Sequence, residues 1–186
     1  NLGTILRIAD WFGIDAVFAS PDTVDVFNPK VVQSTMGAIF RVRMHYVDLP
    51  SLSEYMLSIG GKVYGTFLDG QNMYSRPLDT GEGLPVMIVI GNESEGISRP
   101  MQNLVSDRLY IPPYPAGDPG SESLNAAVAT AVTVAEFRRR ISRFSHPLQA
   151  DSSNAAVMRL QISFLQESFM TVRHIQCSNP LPPPVM

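Results

Sequence analysis

The sequence is short of cysteine, of charge and of long apolar runs. Cys177 stands alone among 186 residues, which excludes an intramolecular disulfide framework and fits a reducing, cytoplasmic setting. The longest apolar run, Pro85 to Ile90 with Leu84 before it, is far below the roughly 20 residues that span a bilayer. No basic-then-apolar leader opens the chain. Charged residues make up 17% of it and the net charge is −3. Bulk electrostatics therefore does not mark a protein that grips nucleic acid, since phosphate contacts need Lys and Arg. His174 and Cys177 form a ligand-like pair without two further partners, so no metal is expected. Walker-type loops and nucleophile elbows are missing. Gly81-Glu82-Gly83 never reaches a third glycine and precedes a strand, which counts against a nucleotide-dependent oxidoreductase.

Apolar residues make up 45% of the chain, enough for one full core plus an appendage. From Asn1 to about Arg143 the pattern alternates helix and strand. Residues 2–12 read as a helix with Ile5, Ile8, Ala9 and Phe12 on one face. Residues 15–19 read as a strand, 29–36 as a helix capped by Asn28 with Pro29 in its first turn, and 43–47 as a strand. Residues 51–59 read as a helix that Ser51 caps, with Glu54 three residues on, and Gly60-Gly61 stops it. Strands follow at 62–68 and, after a polar loop over 69–84, at Val86–Ile90, whose continuous apolar run marks burial on both faces. A short helix over 99–105, a strand over 108–111, a proline-bearing loop over 112–122 and a long helix over 123–140 complete this part. Such alternation implies an α/β fold with a parallel sheet flanked by helices. Residues 1–145 are taken as one domain and 146–186 as a tail. In the tail, 151–169 reads as one helix and the Pro-rich 179–186 as disordered.

Polar residues gather where an α/β protein builds its sites, at strand ends and helix starts. The first group is Asn1, Gly3, Arg7 and Ala9 at a helix start. The second is Gly91, Glu93 and Gly96, directly after the most buried strand, where glycines allow a tight turn and leave amides open. The third is Ile111-Pro112 and then Ser123-Leu124-Asn125 at the mouth of an alanine-rich helix, where free N–H groups attract anions. Taken singly, each has a plain structural reading: a solvated helix face, a strand-to-helix turn, a helix cap. The cluster Arg138, Arg139, Arg140 and Arg143 reads equally as a solvated helix end and as a phosphate contact.

In order and spacing, the three groups resemble the signature motifs of the SpoU/TrmH methyltransferases of the SPOUT superfamily. The resemblance runs from Asn1 to about Arg140. It implies a C-terminal trefoil knot, a homodimer and an S-adenosylmethionine-dependent transfer of a methyl group to a ribose 2′-hydroxyl of tRNA or rRNA. By family position, Gly91, Ile111 and Leu124 contact the methyl donor, with Thr66 and Leu68 at the preceding strand end. Arg7 matches the family's catalytic arginine. A guanidinium presents donors and no acceptor, so anchoring a phosphate and stabilising a developing alkoxide suit it better than a base role. Asn1, Glu93, Ser123 and Asn125 then orient Arg7 and the ribose.

The sequence also departs from the family. A strand expected just before Asn1 is absent, as is any N-terminal RNA-recognition domain. An upstream segment is therefore expected to be missing, or else the sheet stays incomplete. The 112–122 loop is several residues longer than usual. RNA affinity is expected from the missing segment or from a joint dimer surface around Arg7, Arg41 and Arg43. A non-catalytic RNA-binding module on the same fold is the alternative, against which the full polar set argues.

Overall fold

The computed structural model describes residues 1–78, 84–92, 95–115, 123–144, 160–164 and 168–171, with backbone alone for 141–144 and the last two segments. Its elements run α1 (Leu2–Trp11), β1 (Ile14–Ala19), α2 (Pro29–Thr35), β2 (Met44–Tyr46), α3 (Leu49–Ser58), β3 (Lys62–Asn72), β4 (Val86–Gly91), α4 (Arg99–Gln102), β5 (Asp107–Tyr110), α5 (Ala126–Phe144), β6 (Leu160–Phe164) and β7 (Ser168–Thr171). The expected alternation therefore holds through α5, with boundaries moved by a few residues. Asn28 caps α2 by accepting from the Lys30 N–H at 3.0 Å. The cap of α3 is Asp48, not Ser51: its carboxylate accepts from the Ser51 N–H at 3.0 Å. A carboxylate at the helix start also favours the macrodipole, which a serine hydroxyl cannot do.

The seven strands order as β2-β1-β6-β7-β4-β3-β5. β1 pairs parallel with β2, and β3 pairs parallel with both β4 and β5. β6 is parallel to β1 and β4, whereas β7 is antiparallel to its neighbours, so the sheet is mainly rather than wholly parallel. The expected helix over 151–169 is corrected: 160–164 and 168–171 are strands. Without β6 and β7, the edge of β4 away from β3 would be left with unpaired amides and carbonyls, and such groups demand partners. Leu160-Gln161-Ile162-Ser163-Phe164 alternates with a period of two, which fits a strand and supplies one. The sheet is thus continuous between β1 and β4, so of the two expectations an incomplete sheet is the one the structure does not bear out. The 179–186 segment, with His174 and Cys177, lies outside the described residues.

Alternate residues of β4 feed two cores. Val86, Ile88 and Ile90 pack with Leu2, Leu6 and Phe137 on the α1/α5 side. Met87 and Val89 pack with Leu49, Met56 and Met101 on the α3/α4 side. Both faces of the central strand are covered, which explains its continuous apolar sequence. Each such buried side chain stabilises the fold by roughly 1.5–3 kcal/mol. Among the described residues no helix is long and apolar enough to cross a membrane.

Candidate cofactor and ribose site

The middle of β3 and the carboxyl ends of β4 and β5 open onto a cavity of about 470 Å³. That volume lies within the range of small-ligand pockets. Thr66, Leu68, Gly91, Ile111 and Leu124 all line it, as does Ser123. The structure therefore gathers the whole expected cofactor set on one wall system, although these residues come from four separate stretches of chain. Ile90, Asn92 and Glu95 of the second motif segment also line it, together with Phe67, Gln102 and Tyr110, which no motif in the sequence marks. Gln102 lies on the short helix α4 and its Nε2 donates to the Ile97 carbonyl at 2.6 Å, a tie that no sequence spacing announces.

Gly91 explains how the turn after β4 is shaped. A Cβ there would meet the Gly96 carbonyl carbon at 2.8 Å and the Ile97 nitrogen at 3.0 Å. The same turn is closed by two backbone bonds, Asn92 N–H to Gly96 O at 3.1 Å and Gly96 N–H to Asn92 O at 3.0 Å. Gly96 itself takes a φ of 71°, which glycine reaches at least cost. Glu93, the acidic member of this group, lies outside the described residues. On the opposite wall, Thr66 Oγ1 donates to the Val89 carbonyl at 3.3 Å, tying β3 to β4 at the cavity. Past Thr66 the register of β3 against β5 jumps to Gln71. Residues 67–70 bulge away from the ladder as a result, and Phe67 and Leu68 face the cavity from that bulge. Bulges re-aim side chains in this way beside functional sites.

The mouth of α5 carries the third group. Asn125 Oδ1 accepts from the N–H groups of Ala127 at 3.0 Å and Val128 at 3.3 Å, so Asn125, not Ser123, is the helix cap. Its Nδ2 donates to Asn1 Oδ1 at 2.9 Å. The first and third groups are thereby joined at adjacent helix starts. Ala126 and Ala129 border the cavity; their small side chains leave room beside it.

Arg7 is placed differently. It is exposed on the second turn of α1 and does not line the cavity of its own chain. Among the described residues it makes no hydrogen bond or ion pair. Gly3 serves helix packing rather than a ligand: a Cβ there would lie 2.6 Å from the Val31 carbonyl of α2.

Arg41, Arg43, Arg138, Arg139 and Arg140 are committed to the fold. Arg41 forms a fork on Asp10, with bonds of 3.0 and 2.7 Å, and this bond holds the Asp10 carboxyl below its ordinary range. Arg43 Nε donates to the Asp15 carbonyl at 3.0 Å. The expected joint basic surface of Arg7, Arg41 and Arg43 thus keeps Arg7 as its uncommitted member. Arg138 Nε donates to the Phe12 carbonyl at 2.7 Å and closes the end of α1. Arg139 and Arg140 both bond Glu136 at 2.6 Å. Arg140 also donates to the Met73 and Tyr74 carbonyls, at 2.7 and 3.1 Å. Arg138 and Arg140 are thus held against the fold rather than left as a solvated helix end or a phosphate contact, and Arg139 pairs with Glu136 on its own helix. The side chain of Arg143 lies outside the described residues.

Residues 1–135 match the SpoU rRNA Methylase family. The chain is 35% identical over 138 residues to 23S rRNA (guanosine(2553)-2′-O)-methyltransferase RlmP of Bacillus subtilis (strain 168), covering 74% of this chain and 53% of that protein. It is similar in structure to a TrmH-family protein from Porphyromonas gingivalis, with a TM-score of 0.66, 45% identity, and coverage of 74% and 54%. The SpoU methyltransferase AviRb from Streptomyces viridochromogenes, solved in complex with AdoMet, aligns with a TM-score of 0.64 and 26% identity, covering 77% and 53%. The chain spans about half the length of the curated relatives it matches.

Proposed function

Because the chain belongs to the SpoU rRNA methylase family, we propose that it transfers a methyl group from S-adenosylmethionine to a ribose 2′-hydroxyl of rRNA or tRNA. The observation that carries this reading is the convergence of Gly91, Ile111 and Leu124 on one cavity beside the Asn1–Asn125 hydrogen bond. The residues present fit the cofactor. Its adenosine needs backbone partners between apolar walls, and Ile90, Ile111 and Leu124 supply such walls. Gly91 lets the end of β4 and the Gly96 backbone approach more closely than any side chain would permit, which keeps the turn at the cavity tight. Thr66 and Leu68 border the same space from β3.

Bound S-adenosylmethionine supplies an activated methyl on a positively charged sulfur. The chain's own residues then have three tasks. Ser123 and Asn125 at the α5 mouth, with Asn1 locked to Asn125, fix the approach of the ribose. Glu93 joins this set by its family position between Gly91 and Gly96 in the sequence. Arg7 holds an RNA phosphate and stabilises negative charge growing on the ribose oxygen as its proton leaves.

Since Arg7 stands outside the cavity of its own chain, we assign it to the cavity of a second copy in a homodimer. Thr4, Arg7 and Trp11 share one outer face of α1, and Trp11 is 85% exposed there, which suits a face that another copy covers. Residues 1–145 form the catalytic domain in this reading, with a trefoil knot gathering the cavity walls, and the tail lending β6 and β7. The reaction is assigned to the cytoplasm, in keeping with the single cysteine.

Calorimetric titration with S-adenosylmethionine, followed by labelled-methyl incorporation into rRNA and tRNA, tests the proposal. Micromolar binding with incorporation at one ribose supports it. Absence of binding rejects it. Binding of RNA without incorporation returns the reading to a non-catalytic RNA-binding module.

A further inference from the structure

Cavity walls built on a bulge need an anchor, because a bulge gives up ladder hydrogen bonds. Residues 67–70 are such a bulge: β3 matches β5 at Gly65–Arg108 and Thr66–Leu109, then next at Gln71–Leu109. Phe67 and Leu68 on it border the cavity. Arg108 of β5 lies directly beneath. Its guanidinium carbon sits 3.5 Å from the centroid of the Phe67 ring, and its Nη2 bonds the Asp69 carboxylate. A Cβ on Gly65 would overlap the Phe67 ring at 2.5 Å and touch Val105 at 3.0 Å and Ile97 at 3.2 Å. The missing Cβ of Gly65 lets the ring lie close against β3, and the cation on the ring is tied to the same bulge two residues on.

We propose that Arg108 is a positioning residue for the cofactor cavity, fixing the 67–70 bulge so that Phe67 stands as its wall. This rests on the methyltransferase reading of that cavity and adds to it a residue outside the three signature motifs. Arg108 itself does not line the cavity, so it acts through Phe67. The arrangement uses both halves of the arginine side chain's chemistry. A planar cation stacks on an aromatic face, while its N–H donors grip a carboxylate. The bond from Arg108 is also the main reason that the Asp69 carboxyl is held below its ordinary range, as expected of a carboxylate kept charged by its partner.

The test is a titration of the full chain with S-adenosylmethionine, comparing wild type, Arg108→Ala, Arg108→Lys, Phe67→Leu and the double variant R108A/F67L. Arg108→Ala is expected to weaken binding about tenfold, the size of a partly desolvated cation–π contact. The KM for the cofactor should rise by a similar factor while kcat at saturation stays within about twofold. Arg108→Lys, which keeps a cation over the ring, should recover most of the affinity. In the Phe67→Leu background, removing Arg108 should change binding by less than about twofold. Equal affinity in wild type and Arg108→Ala overturns the proposal. So does an undiminished loss in the Phe67→Leu background, which would mean that Arg108 acts elsewhere. Asp69→Asn, at a side chain 74% exposed, guards against a folding failure of Arg108→Ala: it should weaken binding by about twofold to threefold, and no change overturns the anchoring role. Failure of wild type to bind at all is a separate result that rejects the methyltransferase reading, and this inference with it.

Discussion

Asn125 Nδ2 donates to Asn1 Oδ1 at 2.9 Å, across 124 positions of sequence. The same Asn125 side chain uses its oxygen to cap α5 at the Ala127 and Val128 amides. One amide group thus starts a helix and holds a second helix start against it. That double duty explains why an asparagine suits the position: serine or aspartate caps equally well, but neither combines the cap acceptor with an N–H donor.

Substitutions at this position should separate the two duties. Asn125→Ala removes both and is expected to cost about 1 kcal/mol of stability from the lost cap. Asn125→Ser keeps a cap oxygen but is too short to reach Asn1, so its stability should stay within about 0.5 kcal/mol of wild type. Both should lose methyl transfer by at least about tenfold if the Asn1 link orients the ribose. Thermal unfolding and labelled-methyl incorporation measure the two effects. Full activity in Asn125→Ser would show that the link is only structural.

The turn after β4 gives a second contrast. Gly91→Ala places a Cβ 2.8 Å from the Gly96 carbonyl carbon, so the turn must open and cofactor binding should fall below detection. Gly96→Ala meets nothing within 4 Å but must hold a φ of 71°. It should cost about 1 kcal/mol in stability with binding weakened by less than about tenfold. Calorimetry on both variants checks the ordering. If Gly96→Ala is the more damaging to binding, the tight approach at Gly91 does not shape the site.

Glu136 predicts an acid limb in stability. Bonds from Arg139, and then from Arg140, pull its carboxyl from 4.5 to about 2. A folded-state pKa below the unfolded one means that the carboxylate adds stability above pH 4.5 and loses it as the pH falls toward 2. The melting temperature of wild type should therefore drop through that window. Glu136→Gln should start lower at pH 7 and fall less steeply below pH 4.5. Parallel curves for the two proteins would remove Glu136 from the acid transition.

Some of this architecture is legible in the sequence, and the reasons differ by residue. Asn28-Pro29 and the Gly91–Gly96 turn act locally, so their chemistry shows within a few positions. The continuous run at Val86–Ile90 announces burial on both faces because both faces are in fact covered. Leu160–Phe164 is a harder case: it carries the strand period of two, but short apolar runs fit helix and strand alike, and its pairing with β1 and β4 decides. Arg138 to Arg140 show charge in the sequence and not its direction; only the folded chain aims them at Phe12, Glu136 and the Met73–Tyr74 carbonyls. The Phe67–Arg108 contact lies beyond sequence for the same reason, since it depends on a register jump between two strands.

Arg7 yields the prediction that tests the assembly itself. It is exposed on α1 and stands outside its own chain's cavity, so a single copy leaves its guanidinium away from the proposed methyl transfer. Arg7→Ala alone should keep cofactor binding and lose at least about a hundredfold in turnover, as expected when a transition-state donor is removed. Gly91→Ala alone should lose binding. Mixed after subunit exchange, the two inactive proteins should regain activity, because a mixed pair joins an intact cavity from one copy to an intact Arg7 from the other. Random pairing makes half of the dimers mixed, each with one competent site of two, so recovery should approach about a quarter of the wild-type rate. Mixtures that stay inactive, while sedimentation shows exchanged dimers, would return Arg7 to its own chain and require α1 to move toward the cavity before reaction.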